Sequence, residues 1–170
     1  ALSAAMNVVG KDFGAKKIFL PQVMLSAEAM REAFIKIKER IPADSVSNKG
    51  TIVIATVKGD IHDLGKNIVS ALLENNGFKV IDLGKDIDKE EIIKAAINNK
   101  ADMIGLCSLM TTTITQIDEV IAELNKSEYS TKVMIGGAVV TQEYADNVGA
   151  DAYAPDGVEA VEIAKKLINK

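Results

Sequence analysis

From Thr51 onward the apolar residues fall into short, β-branched runs separated by longer stretches of helical spacing. The runs Thr51–Val57, Lys79–Leu83, Met103–Leu106, Lys132–Ile135 and the short Ala152–Tyr153 predict five strands. Between and after them, Gly65–Asn76, Asp88–Asn99, Ile114–Lys126, Thr141–Val148 and Gly157–Ile168 have the length and periodicity of helices, and Asp88 and Thr141 stand where N-caps belong. Strict alternation of strand and helix predicts an α/β fold whose parallel sheet is covered on both faces. A five-stranded, flavodoxin-like Rossmann arrangement of order 2-1-3-4-5 fits this pattern.

Before Thr51 the pattern is different. Leu25, Ala29, Ala33, Ile37 and Ile41 recur at four-residue spacing with Met24, Met30 and Phe34 beside them, as on an amphipathic helix that carries Pro21 in its first turn. Upstream, Leu2–Val9 predicts another helix ending around Gly10, with Lys11–Leu20 as the connection. The polar stretch Pro42–Gly50 reads as a linker, which divides the chain into a helical segment 1–42, a linker 43–50 and an α/β domain 51–170. Two helices alone make a poor core, so the first segment must lean on another surface.

Composition narrows the function. At 18.2 kDa with 48% apolar residues, the chain has ample material for a core. Twenty Lys and Arg face 24 Asp and Glu, and no basic cluster is interleaved with aromatics, so a nucleic-acid surface is not expected. No apolar run approaches the roughly 20 residues that cross a bilayer, and the amino terminus has no charged-then-apolar signal pattern. No membrane association is expected, and a cytoplasmic location is. A single cysteine, Cys107, excludes an internal disulfide and a cysteine-based metal cluster.

Ligands of open parallel sheets bind outside the carboxyl ends of the strands, where strand order reverses. The unusual sequence lies there. After strand one comes Gly59-Asp60-Ile61-His62-Asp63-Leu64-Gly65, with the only histidine of the chain; after strand three Cys107-Ser108-Leu109-Met110-Thr111-Thr112-Thr113; after strand four Gly136-Gly137-Ala138; after strand five Ala154-Pro155-Asp156-Gly157. Singly, each has a plain reading: the glycines turn the chain, the threonines cap a helix, Cys107 is a small buried hydrophobe, and His62 bonds to a neighbour. Together they form a cluster. Asp60 two residues before His62 suits a carboxylate that accepts one imidazole N–H and fixes the tautomer while the other nitrogen binds a metal. One histidine and no cysteine cluster cannot make a closed zinc site, so a metal on His62 would need a macrocycle for its remaining ligands.

Asp60-x-His62-x-x-Gly65, then forty-one residues to Cys107-x-Leu109, then twenty-six to Gly136-Gly137, resembles the cobalamin-binding signature of corrinoid proteins. Phe19-Leu20-Pro21-Gln22-Val23-Met24 followed by Ser26-Ala27-x-x-Met30 is similar to the helical cap of methyl-carrying members, including methionine synthase. That cap is normally a four-helix bundle, and only about two helices fit before the linker, so the chain is expected to begin partway through it.

The resemblance implies a cobalamin or related cobamide bound base-off, with His62 as the lower cobalt ligand and the nucleotide tail inserted at the sheet edge. Asp60 and Thr113 would form a proton relay with His62. Gly59, Ile61, Asp63, Leu64, Gly65, Leu109, Gly136, Gly137, Ala154 and Asp156 would complete the cofactor site. At the position of the family serine that bonds the tail base stands Cys107, a weaker partner, so that contact would pass to Ser108 or Thr111, or the native cobamide would carry another lower base. The implied function is that of a corrinoid shuttle rather than a complete enzyme. It would carry a methyl group on cobalt from a donor-specific methyltransferase to an acceptor methyltransferase using tetrahydrofolate or a thiol, with a reductive activation protein as a further partner. Phe19, Leu20 and Met24 would shield the upper face. Alternatives sharing the signature are the cobalamin module of a mutase and a cobalamin-dependent sensor; a cofactor-free receiver domain lacks its expected acidic cluster and lysine here.

Overall fold

A computed structural model describes residues 2–38 and 49–168. Seven helices and five strands follow one another among them: α1 (Leu2–Gly14), α2 (Leu20–Lys38), β1 (Thr51–Thr56), α3 (Leu64–Asn75), β2 (Lys79–Asp82), α4 (Lys89–Asn99), β3 (Met103–Cys107), α5 (Thr115–Lys126), β4 (Lys132–Gly136), α6 (Gln142–Val148), β5 (Ala152–Ala154) and α7 (Gly157–Leu167). The expected linker lies outside the described residues except for Lys49 and Gly50, as does Ile41.

All five strands are parallel in the order β2-β1-β3-β4-β5, as the alternation predicts. Central β1 is buried along its whole length, the signature of a strand covered on both faces. Val53, Ala55 and Val57 pack into one layer with Ile92, Ile117 and Val120 of α4 and α5. Ile52, with Met103 and Met134 of the neighbouring strands, packs into the other against Leu72 and Leu73 of α3 and Ala160 and Ala164 of α7. Each fully buried Ile or Leu in these layers contributes roughly 1.5–3 kcal/mol. The amino-terminal helices lean on the second layer: α1 and α2 pack on each other and on α3, and Met30 of α2 is buried in that core.

Two expectations need correcting. Helix α1 does not stop near Gly10 but runs to Gly14. Gly10 is buried, and a β-carbon on it would stand 2.8 Å from Val158 Cγ2, so this glycine admits α7 rather than ending a helix. Asp88 precedes α4 but makes no side-chain cap bond, its carboxylate being taken by Lys58 Nζ at 3.2 Å. Thr141 does cap α6, accepting from Tyr144 N–H, and Asp156 caps α7 by accepting from Val158 and Glu159 N–H.

Candidate functional site

The carboxyl ends of β1 and β3, neighbours in the sheet, bring the histidine loop beside the loop after Cys107. The chain leaves β1 through a turn in which Asp60 N–H donates to Val57 O at 3.1 Å. This delivers Asp60 into the interior at 0% exposure, while His62 keeps 46% of its side chain in the open. Asp60 Oδ1 accepts from His62 N–H at 3.0 Å and stands 2.8 Å from His62 Nδ1. Its Oδ2 accepts from Leu109 N–H at 2.7 Å and from Thr113 Oγ1 at 3.1 Å.

Burial alone pushes the Asp60 carboxyl up, but the hydrogen bonds from Leu109, His62 and Thr113 outweigh it and bring the carboxyl down to about 2. A group this acidic is an anion that only accepts, so Nδ1 carries a proton toward it, and in the neutral ring Nε2 is then the nitrogen with the lone pair. Thr56 Oγ1 fixes the loop further by donating to His62 O at 3.2 Å. Thr113 is fixed in turn, its hydroxyl 2.9 Å from Ser108 Oγ and 3.1 Å from Met110 O. The Asp60, His62 and Thr113 expected to act together are therefore in one hydrogen-bonded chain, and Ser108 extends it.

His62 lines a largely apolar cavity of about 840 Å³ at the sheet edge. Ile61, Asp63, Leu64 and Gly65 line it from the histidine loop and the start of α3, Cys107 and Leu109 from β3 and its loop. Gly136, Gly137, Ala154 and Asp156 complete the far wall. Asp60, Ser108 and Thr113 are buried and not part of this lining, and Gly59 and Thr111 are exposed outside it. Phe13 and Leu20 of the amino-terminal helices also face the cavity, whereas Phe19 is 68% exposed and Met24 is exposed beside it.

The paired glycines are held by contact. A β-carbon on Gly137 would stand 1.9 Å from Ser108 O, and its φ of +127° is closed to other residues. On Gly136 it would stand 2.9 Å from Ala154 O. These glycines thus keep the ends of β3, β4 and β5 close together beside the cavity. Burial pushes the Cys107 thiol up to about 11, the nearby Lys66 charge only partly opposing this, so Cys107 stays a neutral thiol.

Lys66, which follows Gly65, also lines the cavity and escapes any sequence pattern. Its side chain is 1% exposed, and Nζ donates to Asp82 Oδ2 at 2.6 Å and to Asn67 Oδ1 at 2.7 Å. Ser70 Oγ and Gly84 N–H also donate to Asp82, at 3.0 and 2.8 Å. The pair ties α3 to the end of β2.

Two family models, each described as a B12 binding domain, match residues 50–164 and 1–38. The chain belongs to the B12-binding family. It is 48% identical to dimethylamine corrinoid protein 1 of Methanosarcina acetivorans over 171 aligned residues, covering 98% of this chain and 80% of that protein. The methanol:cobalamin methyltransferase complex MtaBC from Methanosarcina barkeri contains a similar chain, with a TM-score of 0.87 and 38% identity over 99% of this chain and 65% of that one. A cobalamin-binding protein from Desulfitobacterium hafniense matches with a TM-score of 0.83 and 29% identity, over 97% of this chain and 78% of that one.

The cofactor of this family member is a corrinoid, and the site fits one. Its cavity lies in the size range of small-molecule sites, and its largely apolar lining includes Gly65, Gly136 and Gly137, which place no side chain in it. Among the described residues no group of three or more His, Cys, Asp or Glu is gathered to hold a metal. His62 brings one imidazole to the cavity wall, a side chain of the kind that commonly ligates metals. Among the described residues no helix is long and apolar enough to cross a membrane.

Proposed function

We propose that this corrinoid protein binds a cobamide with His62 Nε2 as the lower metal ligand and presents it alternately to a donor-specific and an acceptor methyltransferase. The observation that carries the reading is the buried Asp60 carboxylate 2.8 Å from His62 Nδ1, which leaves Nε2 bare at the cavity wall. When bound, the cobamide supplies a metal centre that accepts a methyl group from one partner and yields it to the next.

The chain's own residues bind, orient and hold protons. Leu64, Gly65, Leu109, Gly136 and Gly137 hold the cofactor, with Cys107 as a neutral wall of the slot. Asp60 keeps the Nδ1 proton and so the ring's orientation, and Thr113 keeps Asp60 Oδ2 in place. His62 would hold the metal through Nε2, the ring nitrogen on the side away from Asp60. Phe13 and Leu20 cover the cavity from the amino-terminal helices, and exposed Phe19 and Met24 stand ready to meet a partner. Those helices must move aside for transfer.

The relative at 48% identity is named for dimethylamine and the structure at 38% for methanol, which makes a methylated amine the first donor to test. Tetrahydrofolate or a thiol is the acceptor class, and a reductive activation protein completes the partners. The decisive experiment is cobamide uptake followed by electron paramagnetic resonance of the cobalt(II) form. One axial nitrogen coupling is expected, and it disappears in His62→Ala. A colourless protein after supply of hydroxocobalamin, or unchanged coupling in His62→Ala, overturns the assignment.

A further inference from the structure

We infer that Asp86, at the end of the neighbouring strand's loop, is a positioning residue that sets the orientation of the Asp60–His62 pair from outside the cavity. Its functional meaning rests on His62 as the metal ligand. The structural argument begins with the turn at the end of β1. Asp60 N–H closes that turn on Val57 O, and Gly59 occupies its third position with φ +79°. These are the marks of a type II turn. The N–H of the third residue finds no acceptor within such a turn. Here it donates to Asp86 Oδ1 at 2.8 Å.

Asp86 also grips the peptide that follows Asp60, its own N–H donating to Asp60 O at 3.0 Å. The residue thus holds the chain on both sides of the Cα that aims the Asp60 carboxylate. It does so from a left-handed conformation, φ +58°, that few residues other than glycine, asparagine and aspartate adopt. Lys58 Nζ secures the carboxylate from the solvent side, 3.5 Å from Asp86 and 3.2 Å from Asp88. The bond from Gly59, foremost among its neighbours, holds the Asp86 carboxyl below its ordinary range, so the acceptor is an anion.

The consequence falls on His62. Asp60 must present Oδ1 to the ring and Oδ2 to Leu109 N–H at once, which tolerates little rotation of the peptide before it. Without the Asp86 carboxylate the Gly59 N–H loses its acceptor, the turn that aims Asp60 loosens, and the proton stands on Nε2 rather than Nδ1 in a larger share of molecules. An imidazole protonated on Nε2 has no lone pair for a metal there. Asp86 therefore governs the share of protein whose ring is ready to ligate.

Because the chain holds one histidine, long-range ¹H–¹⁵N spectra of the cofactor-free 170-residue chain at mildly alkaline pH report its tautomer without ambiguity. The Nδ1-protonated form should dominate in the wild type. Asp86→Gly removes the acceptor while relieving the left-handed strain, and should raise the minor tautomer about fivefold, the worth of one ordinary hydrogen bond. Asp86→Asn keeps an acceptor oxygen and tolerates the conformation, so it should match the wild type. If Asp86→Gly does not give a folded amide spectrum, Asp86→Ala takes its place. A tautomer ratio unchanged in the acceptor-free variant overturns the inference, as does an equal shift in Asp86→Asn. Failure to bind cobamide would refute the carrier reading and leave this ratio as it was, so the two outcomes are separable.

Discussion

Gly65→Ala separates what the fold needs from what the cofactor needs. Gly65 is the second residue of α3, and a β-carbon built there meets no atom within 4 Å. In the cofactor-free protein the change should therefore be harmless or favourable, with a gain of up to about 1 kcal/mol from helix propensity. With a denaturant slope of about 2 kcal/mol per molar urea, the unfolding midpoint should rise by up to about 0.5 M. The same open space is cavity, since Gly65 is part of its lining. A methyl group intruding on a packed ligand costs about 1–3 kcal/mol, equivalent to about a 5- to 150-fold loss of affinity. Hydroxocobalamin titration followed by absorbance, alongside urea unfolding followed by circular dichroism, measures both terms. Gly137→Ala is the contrasting case: its β-carbon collides with Ser108 O at 1.9 Å in a backbone conformation closed to alanine. It should lower stability by about 3 kcal/mol before any ligand is added. Wild-type cobalamin affinity in Gly65→Ala would refute the placement of the cofactor against α3, and a large loss of stability would refute the reading of that space as open.

Other consequences are as direct. Asp60→Ala strands the Leu109 and His62 amides, removes one of the Thr113 hydroxyl's partners, and should cost about 3 kcal/mol in urea unfolding; a loss below 1 kcal/mol would show that Asp60 does not anchor these groups. Cys107, pushed up to about 11, should be about one part in a thousand thiolate at pH 8, so iodoacetamide labelling should be slow and quicken about tenfold per pH unit up to pH 10. Fast labelling at neutral pH would contradict its burial as a neutral thiol. Asp82→Ala leaves the Lys66 ammonium buried without its carboxylate and should cost about 3–5 kcal/mol. Lys66→Met should cost clearly less, because Asp82 keeps Ser70, Gly84 and water as partners, and equal losses in the two variants would refute this asymmetry.

The strands and their order were legible because parallel strands buried on both faces read as continuous β-branched runs, and β1 is one. His62 and Asp60 were legible because their spacing has a chemical use. Gly10 misled because a glycine inside a helix looks the same in sequence whether it ends the helix or admits a neighbour, and only the approach of Val158 distinguishes the two. Asp88 misled because a carboxylate before a helix can cap it or pair elsewhere, and Lys58 lies thirty residues away in sequence. The Leu109 amide that helps keep Asp60 ionised carries no side-chain signal at all. Lys66 and Asp86 were hidden for a related reason: their partners, Asp82 at the end of β2 and Gly59 in the turn after β1, come from other elements, and no local periodicity records such pairings.

Phe13 and Leu20 reach the cavity from helices that precede the sheet in the chain, whereas His62, Gly136 and Gly137 are mounted on the sheet's own edge. The seat and its cover are thus inherited in separate stretches of sequence. On the carrier reading, a lineage adapting to a new methyl source is free to rewrite the exposed face of the early helices, which a new partner would read, without disturbing the loops that line the cofactor cavity. Engineered exchange of residues 2–38 between relatives would then change the partner while keeping the colour of the bound cobamide.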